Sequence, residues 1–180
     1  MKTLQYYKKI FSFLGPPGSG KSTLAKICAK KLGFEVLSTG DLSRKHVSLK
    51  ADFGMLIREY LNIGMLVPDD LISTMVENWI ENHIALKKPI ILDGFPRTVE
   101  QARYFLDSFS DFFPDYDFKV ICFIISDEEV ITRLANRFVC ENKNCQMIYS
   151  QNSFAGKNNI CDLCGSKLVK REDDRPEIIK

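Results

Sequence analysis

The chain is poor in histidine, nearly balanced in charge, and without a long apolar run. Its two histidines, His46 and His83, fall in no motif and are assigned to surface or packing, so no histidine base is expected. Lys and Arg total 25 against 23 Asp and Glu, a formal net charge of +2, which gives no reason to expect nucleic acid or membrane as the main partner. No apolar stretch approaches the roughly 18 residues of a membrane-spanning helix. The start, MKTLQYYKKIFSFLG, has an interrupted apolar segment and no small-residue cleavage site after it, so a secretion signal is not expected and a cytoplasmic location is. Internal repeats and low-complexity segments are also lacking. A chain of 180 residues of this composition is expected to form one main domain with small insertions.

Cysteine is what it does have. Cys28 and Cys122 sit singly in apolar segments and read as small buried hydrophobes. Cys140, Cys145, Cys161 and Cys164 form C-x4-C, fifteen residues, then C-x2-C. In a cytosolic protein such a cluster points to metal rather than disulfides. Four thiolates with no open position describe a structural zinc site, which would hold together a segment too small for its own core. A zinc ribbon that binds nucleic acid is disfavoured, because the region has few interleaved aromatics and is not strongly basic.

Periodicity alternates strand and helix. Strands are expected at 10–14, 34–38, 89–93 and 118–125, the last two as continuous apolar runs covered on both faces. Helices are expected from Lys21, with Leu24, Ile27, Cys28 and Leu32 on one face and Gly33 as its stop, over 68–86, and at about 98–109 and 127–138. This predicts an α/β fold with a parallel three-layer sheet. Residues 41–67, mostly helical, and 138–170, with little periodicity, break the alternation and read as small covers on the ligand-binding rim.

GPPGSGKS (15–22) fits G-x-x-x-x-G-K-[ST] between a predicted strand and a predicted helix. Backbone N–H groups of Gly18, Ser19, Gly20 and Lys21 would face phosphate oxygens at the helix N-terminus. Lys21 would bridge the β- and γ-phosphates, and Ser22 or Thr23 would reach Mg²⁺. LSTGDLSR (37–44) and ILDGFPRTVEQ (91–101) lie at carboxyl ends of strands, where open α/β sheets bind ligands. Asp93 is placed as the Asp of a Mg²⁺ shell, and Arg44 and Arg97 as forks for a phosphate.

In order and spacing, GPPGSGKST, STGDLSR, GMLVPDD, DGFPRT-x-x-Q, R-x-x-x-R and R-x-D-D resemble the adenylate kinases, over residues from about 10 to 180. The chain is most similar to the bacterial long-lid type with a cysteine-bound zinc. The resemblance implies a phosphate-loop nucleoside monophosphate kinase fold and the Mg²⁺-dependent reaction ATP + AMP ⇌ 2 ADP. It divides the chain into a core (1–37, 68–137 and 171–180), a monophosphate-binding insertion (38–67) and a zinc-containing lid (138–170). It assigns Thr39, Arg44, Met65, Leu66, Val67, Gly94, Phe95, Pro96, Arg97, Gln101 and Arg171 to AMP. To ATP it assigns the phosphate loop with Thr23, Arg137, Ile148 and Tyr149. It implies a monomer.

Plainer readings stand beside these. Thr98 and Gln101 form a T-x-x-Q capping box. Arg133 and Arg137, four apart, suit a solvated helix face. Asp173 and Asp174 suit the acidic start of a helix. Under the kinase reading the attacking phosphate is already anionic, so catalysis is expected from alignment and from charge neutralisation by Lys21, Arg44, Arg97, Arg133, Arg137, Arg171 and the metal. Closing covers would exclude water.

The sequence departs from the family pattern in several places. About eight residues precede the first strand, Ser22 stands where Gly is common, and the first cysteine pair is spaced by four residues rather than two. After REDDRPEIIK the pattern would continue with an arginine, a long helix, a fifth strand and a last helix, so a C-terminal truncation relative to the family is expected. That would leave strand four at an edge and remove an electrostatic contact worth about 10²–10³ in rate. The alternatives are therefore a UMP/CMP-type kinase, which Thr39 and the zinc-type lid disfavour, and a nucleotide-binding protein with impaired catalysis.

Overall fold

The computed structural model describes residues 8–40, 42, 68–142, 145–150, 159–170 and 174. Arg44, Met65, Leu66, Val67, Arg171, His46, Asp173 and most of the helical stretch expected over 41–67 lie outside the described residues. The chain forms two compact units, Met1–Gly15 with Lys21–Phe123, and Pro16–Gly20 with Ile124–Lys180.

The first unit is built on β1 (Lys9–Leu14), α1 (Lys21–Leu32), β2 (Glu35–Ser38), α2 (Asp69–Ile84), β3 (Ile90–Asp93), α3 (Val99–Phe112) and β4 (Asp117–Cys122). Its strands lie in the order β2-β3-β1-β4, all parallel. Successive strand side chains point to opposite faces, and here both inner faces are apolar. Ile10, Leu37, Ile90 and Leu92 face one way and pack with Val76 and Ile80 of α2 and with Phe105 and Phe109 of α3. Phe11, Phe13, Val36 and Ile91 face the other way, against Ala25 and Cys28 of α1. Phe105 sits among Phe95, Phe109 and Phe118 at centroid distances of 5.5, 5.4 and 5.2 Å, an aromatic cluster that ties α3 to β4. The three-layer parallel α/β arrangement expected from the alternating pattern is present.

The second unit contains α4 (Asp127–Ala135) and an antiparallel sheet of β5 (Arg137–Cys140), β6 (Ile148–Ser150) and β7 (Leu168–Val169), in the order β6-β5-β7. Ser126 caps α4, its Oγ accepting from Glu129 N at 3.3 Å. Cys140, Tyr149, Cys161 and Leu168 make a small core flanked by Phe138, Cys145 and Met147.

Several expectations need correction. Helix α4 stops at Ala135, short of 138, because Arg137 and Phe138 enter the β5 ladder opposite Ser150 and Tyr149. The 138–170 stretch thus holds three short strands despite its weak periodicity. Helix α1 packs through Ala25 and Cys28 but leaves Leu24, Ile27 and Leu32 at 39%, 45% and 55% exposure, so only Cys28 of the expected apolar face is on its packed side. β3 is wholly buried, whereas β4 is mostly exposed and, among the described residues, pairs only with β1 at the sheet edge. Cys122 ends that edge strand and is exposed, and Cys28 is half-buried, so neither is fully inside.

Candidate active site and metal centre

Strand β1 runs through Gly15 into the glycine loop and then into α1. Gly15 has φ 142°, and a Cβ there would come 2.5 Å from the Phe123 carbonyl oxygen, so no side chain fits where the loop leaves the sheet. In the first unit Lys21 Nζ donates to the Gly15 carbonyl at 2.8 Å, folding the lysine along the loop. Ser22, half-buried, and Thr23, exposed, follow in the first turn of α1, whose N-terminal amides favour anions. In the second unit Ser19 N donates to Pro16 O at 3.2 Å. Gly18, at φ 77°, packs so closely on α4 that a Cβ would lie 3.2 Å from Leu134 Cδ2. Gly20 also has positive φ, 97°.

Arg133, on α4, donates from Nε to Glu129 at 2.7 Å and from Nη1 to the Gly18 carbonyl at 3.3 Å. It therefore touches the loop as well as pairing along its own helix. Arg137 is not on that helix face. From β5 it grips Asp174 with two hydrogen bonds, Nε to Oδ2 at 2.7 Å and Nη2 to Oδ1. The side chains are only 13% and 2% exposed, a largely desolvated pair. Asp174, read from sequence as a possible helix start, is the partner of Arg137.

At the carboxyl end of β3, Asp93 is 5% exposed and stands in register with Phe13 of β1 and Ser38 of β2. The loop after it is anchored nearly atom by atom. Gly94 N donates to Phe13 O at 3.1 Å, and the Gly94 carbonyl accepts from Thr39 Oγ1 at 3.2 Å and Arg97 Nε at 2.9 Å. Phe95, joined to Pro96 by a cis peptide bond, accepts from the buried Ser12 Oγ at 2.6 Å. Arg97 N donates to Gln101 Oε1 at 2.7 Å.

The capping reading of Thr98 and Gln101 is realised: Thr98 Oγ1 accepts from Gln101 N at 3.0 Å at the start of α3. Sequence reasoning missed the third member of this network. Asp69, in the first turn of α2, accepts from Gln101 Nε2 and from Thr98 Oγ1, each at 2.7 Å. It lies in the GMLVPDD segment, but apart from that resemblance its signal was an acidic residue at a helix start, which an N-terminal dipole explains equally well. His83 stacks on Trp79 at 3.8 Å and bonds its carbonyl at 2.7 Å, a packing role as expected.

The sulfur atoms of Cys140, Cys145, Cys161 and Cys164 all lie within 4.8 Å of one another. The Cys140–Cys164 and Cys145–Cys161 pairs are 3.3 and 3.6 Å apart. A tetrahedral zinc with bonds of about 2.3 Å spaces its sulfurs about 3.8 Å apart, so this donor set fits that ion. Each cysteine pair is braced by a turn: Cys145 N donates to Asn142 O at 2.9 Å, and Gly165 N donates to Cys161 O at 2.9 Å. The thiols are electrostatically unlike. Burial pushes Cys140 up to about 12. The Ser166 hydroxyl and amide bring Cys164 down to about 6. Tyr149, expected from the resemblance at the ATP, has its hydroxyl inside this unit, 3.3 Å from Cys161 Sγ and accepting from Asp162 N at 3.1 Å. Ile148, also assigned to ATP, lies beside it in β6, in register with Val139.

A parallel sheet, a strand–glycine loop–helix turn and cationic side chains at the strand ends define an α/β protein of the phosphate-loop class. Comparison with known proteins narrows the class. The family profile described as "Adenylate kinase" matches residues 13–180. The chain is 41% identical over 169 residues to the adenylate kinase of Thermosipho melanesiensis, covering 93% of this chain and 77% of that protein. It is 41% identical to that of Borreliella burgdorferi, covering 93% and 76%. To that of Rickettsia akari it is 38% identical over 173 residues, covering 95% and 78%. This chain belongs to the adenylate kinase family.

Proposed function

We propose that the protein catalyses reversible Mg²⁺-dependent phosphoryl transfer between ATP and AMP, giving two ADP. The observation that carries this reading is Lys21 at the head of α1, folded along a loop whose leading glycine admits no side chain. The same residue types at strand ends are what a reaction without a protein base requires, because the AMP phosphate is itself the nucleophile.

The first unit supplies Lys21 for the ATP phosphates, Ser22 and Asp93 for the Mg²⁺ shell, and Arg97 for the AMP phosphate. Thr39, Gly94, Phe95, Pro96 and Gln101 would line the AMP subsite. The backbone of Gly18, Ser19 and Gly20 is assigned to the ATP phosphates, and Arg133 and Arg137 to developing charge. Thr23, Ile148 and Tyr149 on the ATP side, with Arg44, Met65, Leu66, Val67 and Arg171, complete the proposed assignment. Ser22 and Asp93 would hold magnesium, whose chemistry when bound is neutralisation of charge on the phosphates. Zinc at the four cysteines would be structural, since four thiolates leave no position for substrate. A monomer in the cytoplasm, acting on small nucleotides without nucleic acid or membrane, fits this reading. Among the described residues no helix is long and apolar enough to cross a membrane.

The test is Lys21→Met assayed with MgATP and each monophosphate. Parent enzyme is expected to turn over AMP fastest, and the variant to lose at least about 10²-fold in rate. Undiminished transfer in the variant overturns the reading, and fastest parent turnover with CMP or UMP overturns its AMP assignment.

A further inference from the structure

Gln101 is 5% exposed, and its amide is held from both ends. Oε1 accepts from Arg97 N, a group that can only donate, and Nε2 donates to Asp69 Oδ1 of a carboxylate that, ionised, can only accept. A glutamine amide is nearly symmetric in shape, so its orientation must be set by partners. Here they allow one: turning the amide over would set NH₂ against N–H and carbonyl oxygen against carboxylate. One Oε1 lone pair and one Nε2 hydrogen remain unengaged among the described residues.

Such a fixed donor–acceptor pair complements an adenine edge, an exocyclic N–H beside an accepting ring nitrogen. A 6-oxopurine carries the opposite order, a carbonyl beside a ring N–H. We propose that Asp69 is a positioning residue that locks the Gln101 amide and thereby sets the preference of the monophosphate site for a 6-aminopurine over a 6-oxopurine. The inference rests on the reading of Gln101 as a base contact. It does not follow from capping: the cap requires Thr98 Oγ1 and Gln101 N, and Asp69 takes part in neither of those groups' mutual bond. Asp69 bonds the amide side chain directly.

The test compares AMP with GMP and IMP in steady-state kinetics of the full chain. Asp69→Asn keeps the side-chain size but can itself donate or accept, so the lock loses one of its two ends and only the Arg97 N–H still selects the amide's orientation. The ratio of kcat/KM for AMP to that for GMP or IMP is expected to fall about tenfold or more, with KM for AMP raised and KM for ATP unchanged. Asp69→Glu, which remains acceptor-only, is expected to keep most of the parental ratio. Thr98→Val removes the other partner of Asp69 together with the cap, and is expected to lower the melting temperature while leaving the ratio unchanged.

An unchanged ratio in Asp69→Asn, or a uniform loss with every nucleotide that tracks stability, overturns the proposal. A ratio as relaxed in Asp69→Glu as in Asp69→Asn also overturns it. Gln101→Leu separates the two levels. If it leaves AMP KM and selectivity untouched, the base-contact reading itself fails. If Gln101→Leu moves both while Asp69→Asn moves neither, only the lock fails.

Discussion

Truncating Asp174 to alanine is expected to loosen the second unit far more than loss of an ordinary surface charge pair would. Exposed pairs are worth about 0–1 kcal/mol, because water and salt screen them and two long side chains must be ordered. Arg137 and Asp174 are 13% and 2% exposed and joined by two bonds, so the desolvated regime applies. There, removing one partner leaves an unpaired charge and costs about 3–5 kcal/mol. Replacing both with apolar residues, Arg137→Met with Asp174→Leu, is expected to cost clearly less than the sum of the singles, because no orphaned charge remains. The chain's single tryptophan, Trp79, lies in the first unit, so its fluorescence is a poor reporter here. Amide hydrogen exchange read by mass spectrometry on peptides covering 137–150 and 159–170 reports on the right strands. At about 1.4 kcal/mol per tenfold, protection in Asp174→Ala is expected to fall by about 10²- to 10³-fold. A fall of less than about tenfold, or strictly additive singles, would show that the pair does not hold the unit together.

Other perturbations follow the same logic. Gly15→Ala sets a Cβ against the Phe123 carbonyl at 2.5 Å; thermal melts are expected to show a loss of several degrees or insoluble protein, and parental stability would refute the close approach. Elemental analysis is expected to find about one zinc per chain. Chelation should collapse exchange protection around β5, β6 and β7 while Trp79 fluorescence stays native, and a metal-free chain with full protection would remove the centre from the account.

Legibility in the sequence followed how far each signal depends on local chemistry. β3 was readable because a strand covered on both faces must be apolar throughout, and Ile90, Ile91 and Leu92 are. The glycine loop was readable because close backbone approach leaves few residue choices. β4 shows the limit: an equally apolar run lies at an edge, since composition cannot say which neighbour covers a strand. Helix α4 shows another, because nothing local tells a helix to stop at Ala135 when the reason is ladder pairing with β6. Networks were the least legible. Asp69 meets Gln101 across 32 positions, and Asp174 meets Arg137 across 37, separations at which no periodicity speaks. Tyr149 carries a second contact that the sequence did not signal: its hydroxyl is engaged near Cys161 Sγ, which only the folded turn around Asp162 creates.

The proposed catalytic cations already hold partners of their own, and those partners differ in what a phosphate must displace. Arg97 Nε donates to the neutral Gly94 carbonyl. Exchanging that neutral acceptor for a phosphate oxygen strengthens the bond, because an opposite charge is added to a donor that is already ionised. Arg137 would instead have to surrender a bidentate carboxylate and leave the buried Asp174 unpaired, so exchange for a phosphate gains nothing in the ground state. Under the proposed role its contribution would then be concentrated where negative charge spreads during transfer, which is the condition for raising kcat rather than lowering KM. Lys21→Met removes a cation assigned to the ATP phosphates and is expected to weaken ATP binding by calorimetry at least about tenfold. Arg137→Met is expected to leave ATP affinity within about threefold of the parent while reducing kcat by about 10²-fold or more. Equal losses of ATP affinity in the two variants would mean that Arg137 leaves Asp174 as soon as nucleotide binds, and that its ion pair imposes no toll on the ground state.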